Sequence, residues 1–130
     1  VGRIDGPAPA DAGERFALAT LYCALMTDYC LDAIGAHGPV TVEGSFTANP
    51  WFGALLASLR PQQRVSYSDD ASGTTCGGWL LRYRAAVPLS ERLAQPALPV
   101  TGLDGYRARW RAALHQSDRP AAHEALRMAS

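Results

Sequence analysis

Residues 39–57 read PVTVEGSFTANPWFGALLA, and this stretch is expected to decide the fold. Val40–Val42 predicts a short buried strand, and a tight turn should follow at residues 43–46. Asn49 is a suitable N-cap and Pro50 is favoured at the first helical position, which predicts a helix from there. A glycine turn that leads into a helix N-terminus lets a ligand approach the backbone, and unpaired N–H groups there favour an anion. Many turns of this kind only redirect the chain.

The composition of the chain narrows its class. The 130 residues are enough for one domain with a hydrophobic core, and the 12 basic residues balance the 12 acidic ones. The neutral balance argues against a nucleic-acid partner. Every basic residue is Arg, which excludes a Lys-based phosphate contact or Schiff base. With no signal pattern and no apolar run long enough for a bilayer, the sequence predicts a soluble, cytoplasmic protein without a membrane partner.

The cysteines do not indicate a metal or redox site. There are three, Cys23, Cys30 and Cys76, with no CxxC spacing. Cys23 and Cys30 are two helical turns apart on a predicted helix, too far to form a disulfide. We therefore expect small buried thiols and predict no metal ligand.

The segment before the first strand predicts a long helix. Asp11 can cap a start near Ala12, and the helix should run to about Ala36, where Gly35, Gly38 and Pro39 end it. Apolar residues cover most of its circumference. We expect such a helix to be buried between two layers of structure.

The rest of the chain predicts a parallel β-α-β unit and a C-terminal helix. Residues 64–67 predict a second strand parallel to the first, and another helix should begin near 73–75. Three prolines between 85 and 103 are typical of a surface linker, and a docking helix is expected from Tyr106. The expected organisation is a domain at 1–86, a linker at 87–104, and a helix with a tail at 105–130.

Two motifs give the chain a family resemblance. Residues 42–81, VEGSFTANPWFGALLASLRPQQRVSYSDDASGTTCGGWLL, resemble the C-terminal end of FGGY-family carbohydrate kinases. Gly44-Ser45 occupies the position of a paired glycine, Asn49 that of a polar residue near the nucleotide, and Thr74 with Gly77-Gly78 matches a second motif. Ser45 replaces the second glycine, and Phe46 is bulkier than the usual residue. The resemblance implies an α/β fold, part of a ribonuclease H-like, actin-like ATPase domain with short parallel strands, a long buried helix and flanking helices.

The resemblance also implies a role in phosphoryl transfer from ATP, with Mg²⁺, to a sugar or polyol. Gly44-Ser45 would lie against the α-phosphate and ribose, Asn49 would bond near the ribose or phosphates, and 73–78 would pack behind the adenine. The residues expected to contact nucleotide are Gly44, Ser45, Phe46, Asn49, Gly73, Thr74 and Gly77. No catalytic residue is predicted, because the sequence contains neither a DxGT-like phosphate loop nor a glycine-flanked Asp base.

Three hypotheses about function remain at this point. In the first, the chain is the ATP- or ADP-binding part of a carbohydrate kinase, inactive alone, whose sugar would be bound by an N-terminal domain outside this sequence. In the second, it is a structural or partner-binding remnant of that fold. A dinucleotide-binding unit is disfavoured, since no GxGxxG is present. Apolar surface on the first helix would allow a homo-oligomer.

Overall fold

The computed structural model describes residues 4, 6–68, 78, 81–82 and 92–117, with backbone only for 115–117. The chain forms two compact units, Val1–Pro99 and Val100–Ser130. In chain order the elements are α1 (Ala12–Ala33), β1 (Val40–Val42), a 3₁₀ helix (Gly44–Ala48), α2 (Pro50–Leu59), β2 (Val65–Ser68), β3 (Arg92–Ala94) and α3 (Leu103–Ser117).

A three-stranded mixed sheet organises the first unit, with strand order β1-β2-β3. β1 and β2 are parallel, with Val40 opposite Val65 and Val42 opposite Tyr67. Since α2 connects these two strands, the predicted parallel β-α-β unit is confirmed. All four residues of β2 are buried, as expected for the central strand.

The third strand was not predicted. β3 lies within the stretch expected to be a linker and pairs antiparallel with β2, Leu93 opposite Tyr67. The segment after β3 is hydrogen-bonded to α2. The Leu98 amide donates to the Ala54 carbonyl at 3.2 Å, and Ser58 Oγ donates to the Leu98 carbonyl at 2.6 Å. The side chains of β3 are exposed, so its sequence lacks the apolar alternation that identifies a strand.

Local signals set both ends of α1. The Asp11 side chain caps the helix by accepting a hydrogen bond from the Glu14 amide at 2.8 Å. At the other end Gly35 adopts a left-handed backbone, with φ of 65°. Its amide donates to the Asp32 carbonyl, and the Ala36 amide donates to the Leu31 carbonyl. This is the Schellman arrangement, which ends α1 slightly before the predicted Ala36.

The helix at the centre of the core is α2, not α1. Most α2 residues are buried, among them Phe52, Leu55, Leu56 and Leu59. In α1 only Thr20, Ala24, Leu25 and Asp28 are buried, and this face packs on α2. The expectation that α1 is buried between two layers is therefore wrong in the described part of the chain. Elsewhere on the helix surface, Phe16 and Tyr22 are exposed.

A buried ion pair joins the C-terminal ends of α1 and α2. The Arg60 side chain is within 3.0 Å of the buried Asp28 carboxylate and 2.7 Å of the Asp32 carboxylate. It also donates to the Ala36 carbonyl and to the side chain of Gln63. Since Asp28 and Asp32 are one helical turn apart on α1, a single guanidinium fixes the relative position of both helices.

The remaining sequence predictions are met in part. Gly78, Leu81 and Arg82 have helical backbone, whereas most of the helix predicted there lies outside the described residues. Cys30 is exposed and Cys23 partly exposed, so the expectation of buried thiols is wrong for both, and Cys76 lies outside the described residues. No helix in the described part of the chain is long and apolar enough to cross a membrane.

Candidate functional site

The turn after β1 is a short 3₁₀ helix, Gly44–Ala48, rather than the tight turn expected at residues 43–46. Gly44 begins it with φ of 72°, a left-handed conformation that strains any residue with a Cβ. Apart from its two chain neighbours, no described residue has an atom within 4 Å of the position that a Cβ on Gly44 would take. The conformation of Gly44, not crowding, therefore requires glycine, and this side of the turn stays open.

The N-terminus of α2 is closed to an anion, contrary to the expectation of unpaired N–H groups there. Pro50 has no N–H to offer. The Trp51 and Phe52 amides donate to Asn49 Oδ1 at 3.0 and 3.3 Å. The Gly53 amide donates to the Tyr67 hydroxyl at 2.7 Å. With every first-turn amide paired inside the protein, a phosphate at this position would have to displace native hydrogen bonds.

Asn49 is the residue on which the local structure converges. It caps α2 as predicted, and its amide donates to the Phe46 carbonyl at 3.1 Å, which closes the 3₁₀ helix. Its Nδ2 donates to Thr20 Oγ1 of α1 at 2.9 Å. One Nδ2 hydrogen remains, because a primary amide has two. The side chain that was expected to bond the ribose or phosphates is thus mostly committed to holding α1, the turn and α2 together.

Tyr67 of β2 and Gly53 of α2, which the sequence analysis did not identify, support the arrangement around Asn49. The Tyr67 hydroxyl donates to the Asn49 carbonyl at 2.6 Å while it accepts from the Gly53 amide. Burial raises the pKa of Tyr67 above its ordinary value, an effect that the hydrogen bond from Gly53 partly opposes. A Cβ on Gly53 would lie 2.4 Å from the Tyr67 ring. The presence of Gly53 inside an otherwise apolar helix could have indicated from the sequence that another group packs closely against the helix there.

An open cleft lies beside the turn, between the 3₁₀ helix and the N-terminal part of α1. Its volume is about 290 Å³, and it is lined by Phe16, Ser45, Phe46, Ala48 and Asn49. Phe46 is held by contact with the Phe52 ring, whose centroid is 4.6 Å away. None of these five side chains titrates near neutral pH, so the described lining holds no group for acid–base catalysis.

The cleft brings together part of the predicted site. Ser45, Phe46 and Asn49 line it, and Gly44 starts the helix that carries two of them. Gly73, Thr74 and Gly77 lie outside the described residues. Phe16 on α1 was not among the predicted contacts. In the described part of the chain, no group of three or more His, Cys, Asp or Glu side chains could hold a metal ion.

A family model and a solved structure that match this chain agree with each other. The family model described as carbohydrate kinase FGGY, C-terminal domain, matches residues 2–91. The crystal structure of a carbohydrate kinase from Novosphingobium aromaticivorans is similar, with 37% sequence identity and a TM-score of 0.70.

The two matches differ in how much they cover. The similarity to the solved kinase covers 83% of this chain but 23% of that one, so the chain spans about a quarter of its relative's length. No curated protein matches. Since the family match covers more than half of the chain and includes all of α1, β1, α2 and β2, the chain belongs to the FGGY carbohydrate kinase family and corresponds to part of its C-terminal domain.

Proposed function

We propose that this chain forms the nucleotide-side wall of an ATP-dependent carbohydrate kinase. The assembled kinase would transfer the γ-phosphate of ATP to a hydroxyl of a sugar or polyol. The observation that carries the proposal is the left-handed Gly44 turn beside an open cleft, in a chain that matches the C-terminal domain of this family. A turn with an exposed backbone edge, supported by a rigid strand and helix, is suited to hold a ligand.

The chemistry would come from elsewhere in the kinase. Phosphoryl transfer needs a base near the attacking hydroxyl and groups that hold the phosphates and Mg²⁺. The described residues that line the cleft include no titratable side chain, and they and the rest of the described chain offer no cluster that could hold a metal. In our proposal this chain binds and orients ATP or ADP, while catalytic groups, Mg²⁺ contacts and the sugar site belong to regions equivalent to the rest of the related kinase.

A set of glycine variants tests the binding role of the turn. Gly44→Ala places a Cβ on a left-handed residue of the turn, and Gly35→Ala does the same at the end of α1. Each should cost about 1–2 kcal/mol of backbone strain. A Cβ at Gly38 would meet no atom of the described residues within 4 Å beyond its chain neighbours, and Gly38 has no positive φ, so Gly38→Ala controls for the added methyl group. ADP affinity is measured by calorimetry or NMR titration.

We expect Gly44→Ala alone to weaken ADP binding, because only this variant distorts the turn. Equal affinities for Gly44→Ala and Gly35→Ala would show that the turn does not contact the nucleotide. No binding at millimolar ADP by folded wild-type chain would contradict the proposal itself.

One observation favours the second hypothesis, a structural or partner-binding module. The polar groups expected to meet the nucleotide at the start of α2 are already paired inside the protein. A chain that folds normally, binds no nucleotide and is captured by a kinase domain lacking this region would support that module. Nucleotide binding that depends on Gly44 would exclude it.

A further inference from the structure

The Tyr67 hydroxyl contacts the backbone at the point where the 3₁₀ helix meets α2. It donates to the Asn49 carbonyl at 2.6 Å and accepts from the Gly53 amide at 2.7 Å. The ring can reach this position because residue 53 is glycine, since a Cβ there would lie 2.4 Å from Cε1 of Tyr67. Tyr67 itself is buried in the central strand β2. The sheet therefore holds the backbone at the end of the turn through one buried side chain.

Asn49 is also held by α1. Its Nδ2 donates to Oγ1 of the buried Thr20 at 2.9 Å, while its Oδ1 caps α2 by accepting from the Trp51 and Phe52 amides. Capping a helix requires only the oxygen of this side chain. The bond from Nδ2 is therefore an additional constraint, which ties the position of Asn49 to α1.

The short 3₁₀ helix connects Asn49 to the start of the turn. The Asn49 amide donates to the Phe46 carbonyl at 3.1 Å, and Thr47 Oγ1 donates to the Gly44 carbonyl at 2.7 Å. The helix has five residues and is bonded in this way at both of its ends. A displacement of Asn49 would therefore also displace Ser45 and Phe46.

We propose that Thr20 and Tyr67 are positioning residues for nucleotide binding, which act through Asn49 on the turn that begins at Gly44. This inference rests on the proposed function and deepens it, since it names the residues that hold the turn in place for ADP or ATP. Neither side chain is among the residues that line the cleft. When a bond to Asn49 is lost, a smaller fraction of the molecules holds the turn in its binding conformation. The apparent affinity then falls in proportion to that fraction.

The test uses variants that remove or keep single hydroxyl groups. Thr20→Val keeps the shape of the side chain and removes Oγ1, whereas Thr20→Ser keeps the hydroxyl and loses a methyl group. Tyr67→Phe removes only the phenol oxygen. Ser58→Ala is the matched control, because Ser58 Oγ lies on α2 and bonds the Ala54 and Leu98 carbonyls but not Asn49.

ADP binding to the full chain is measured by NMR titration, after circular dichroism has shown that each variant is folded. We expect Thr20→Val and Tyr67→Phe each to weaken ADP binding by about three- to tenfold, which corresponds to the loss of one hydrogen bond. Thr20→Ser and Ser58→Ala should each change the affinity by less than about twofold. Without ADP, the amide signals of Ser45 and Phe46 should move in the two weakened variants and not in Ser58→Ala.

The contrary results separate this inference from the proposed function. If the wild-type chain binds ADP and both Thr20→Val and Tyr67→Phe keep its affinity, the positioning role is overturned while the nucleotide-side function stands. A loss in Ser58→Ala as large as that in Tyr67→Phe would also overturn it, because general destabilisation would then explain both. If Thr20→Val does not fold, Tyr67→Phe decides alone. If the folded wild-type chain binds no ADP, both proposals fail.

Discussion

At the scale of single residues, Asn49 shows how one side chain can serve several elements. Its role as a helix cap follows from its position before Pro50, so the sequence predicts it. Its bond to Thr20 spans 29 residues and depends on how α1 packs, which no local pattern encodes. The predicted cap is confirmed, whereas the predicted nucleotide contact of this residue remains a prediction.

Replacing Asn49 should reveal both roles. Asn49→Ala removes the cap and the Thr20 bond, and we expect a loss of about 1–2 kcal/mol in the free energy of unfolding. Asn49→Asp keeps the capping oxygens and lets Thr20 donate instead, so it should lose clearly less. Urea denaturation followed by circular dichroism measures both. Equal losses would mean that capping is not what Asn49 contributes.

Gly53 is predicted to tolerate no side chain. A Cβ there would lie 2.4 Å from Tyr67 Cε1 and 2.8 Å from Gln95 Cγ. Gly53→Ala should therefore destabilise the chain by about 1–3 kcal/mol, despite the better helix propensity of alanine. Gly38→Ala, in open space, is the control. A stabilised Gly53→Ala variant in thermal unfolding would show that the ring is not held against the helix.

The raised pKa of Tyr67 predicts a loss of stability in alkali. The unfolded chain releases the phenol proton near pH 10.0, while the folded chain retains it to higher pH. Above that value the unfolded state binds fewer protons, so the free energy of unfolding falls as the pH rises.

Tyr67→Phe isolates this contribution. The variant should be less stable at pH 8, because the Gly53 amide and Asn49 carbonyl lose their partner. The stability difference between wild type and variant should then shrink above pH 10, as measured by urea denaturation across the pH range. A difference that stays constant with pH would show that the pKa of Tyr67 is not raised.

At the scale of elements, Arg60 joins α2 to two aspartates of α1 that differ in how exposed they are. The Asp28 side chain is fully buried and that of Asp32 is 40% exposed, yet both contact Arg60. Removing one partner of a buried pair typically costs about 3–5 kcal/mol, whereas a surface pair contributes about 0–1 kcal/mol.

Arg60 is buried and keeps one aspartate in each variant, so we expect Asp28→Asn to destabilise the chain and Asp32→Asn to destabilise it less. The free energy of unfolding from urea denaturation measures both, and the two variants control for each other because they make the same chemical change. Similar effects of the two substitutions would contradict the assignment of Asp28 as the structural partner of Arg60.

The helices and strands differ in whether their own residues are enough to predict them. α1, β1, α2 and β2 have caps, apolar patterns or turn residues within their own sequences, and each is predicted close to its observed position. β3 is a strand because it pairs with the free edge of β2, so its own residues give little indication that a strand forms there. The burial of α2 rather than α1 is likewise decided by packing.

At the scale of the whole molecule, the apolar side chains that α1 leaves exposed have a consequence for assembly. Phe16, Tyr22 and Ile34 are exposed apolar side chains on or next to this helix. Exposed apolar side chains that join into one patch mark contacts with other protein. We expect the chain to self-associate in sedimentation velocity as its concentration rises.

A double substitution tests whether these side chains are responsible. Tyr22→Ser with Ile34→Ser should shift the chain toward monomer, whereas Ala17→Ser, also exposed on α1, should not. A wild-type chain that sediments as a monomer over the whole concentration series would contradict the expectation.

The most direct test of the account is a residue-resolved NMR titration of the chain with ADP. If the turn after β1 lies against the nucleotide, the amide signals of Ser45 and Phe46 should shift with a common dissociation constant, while those of Trp51, Phe52 and Gly53, paired inside the protein, should shift much less. Unchanged signals at Ser45 and Phe46 at saturating ADP, or shifts centred on the first turn of α2, would contradict it.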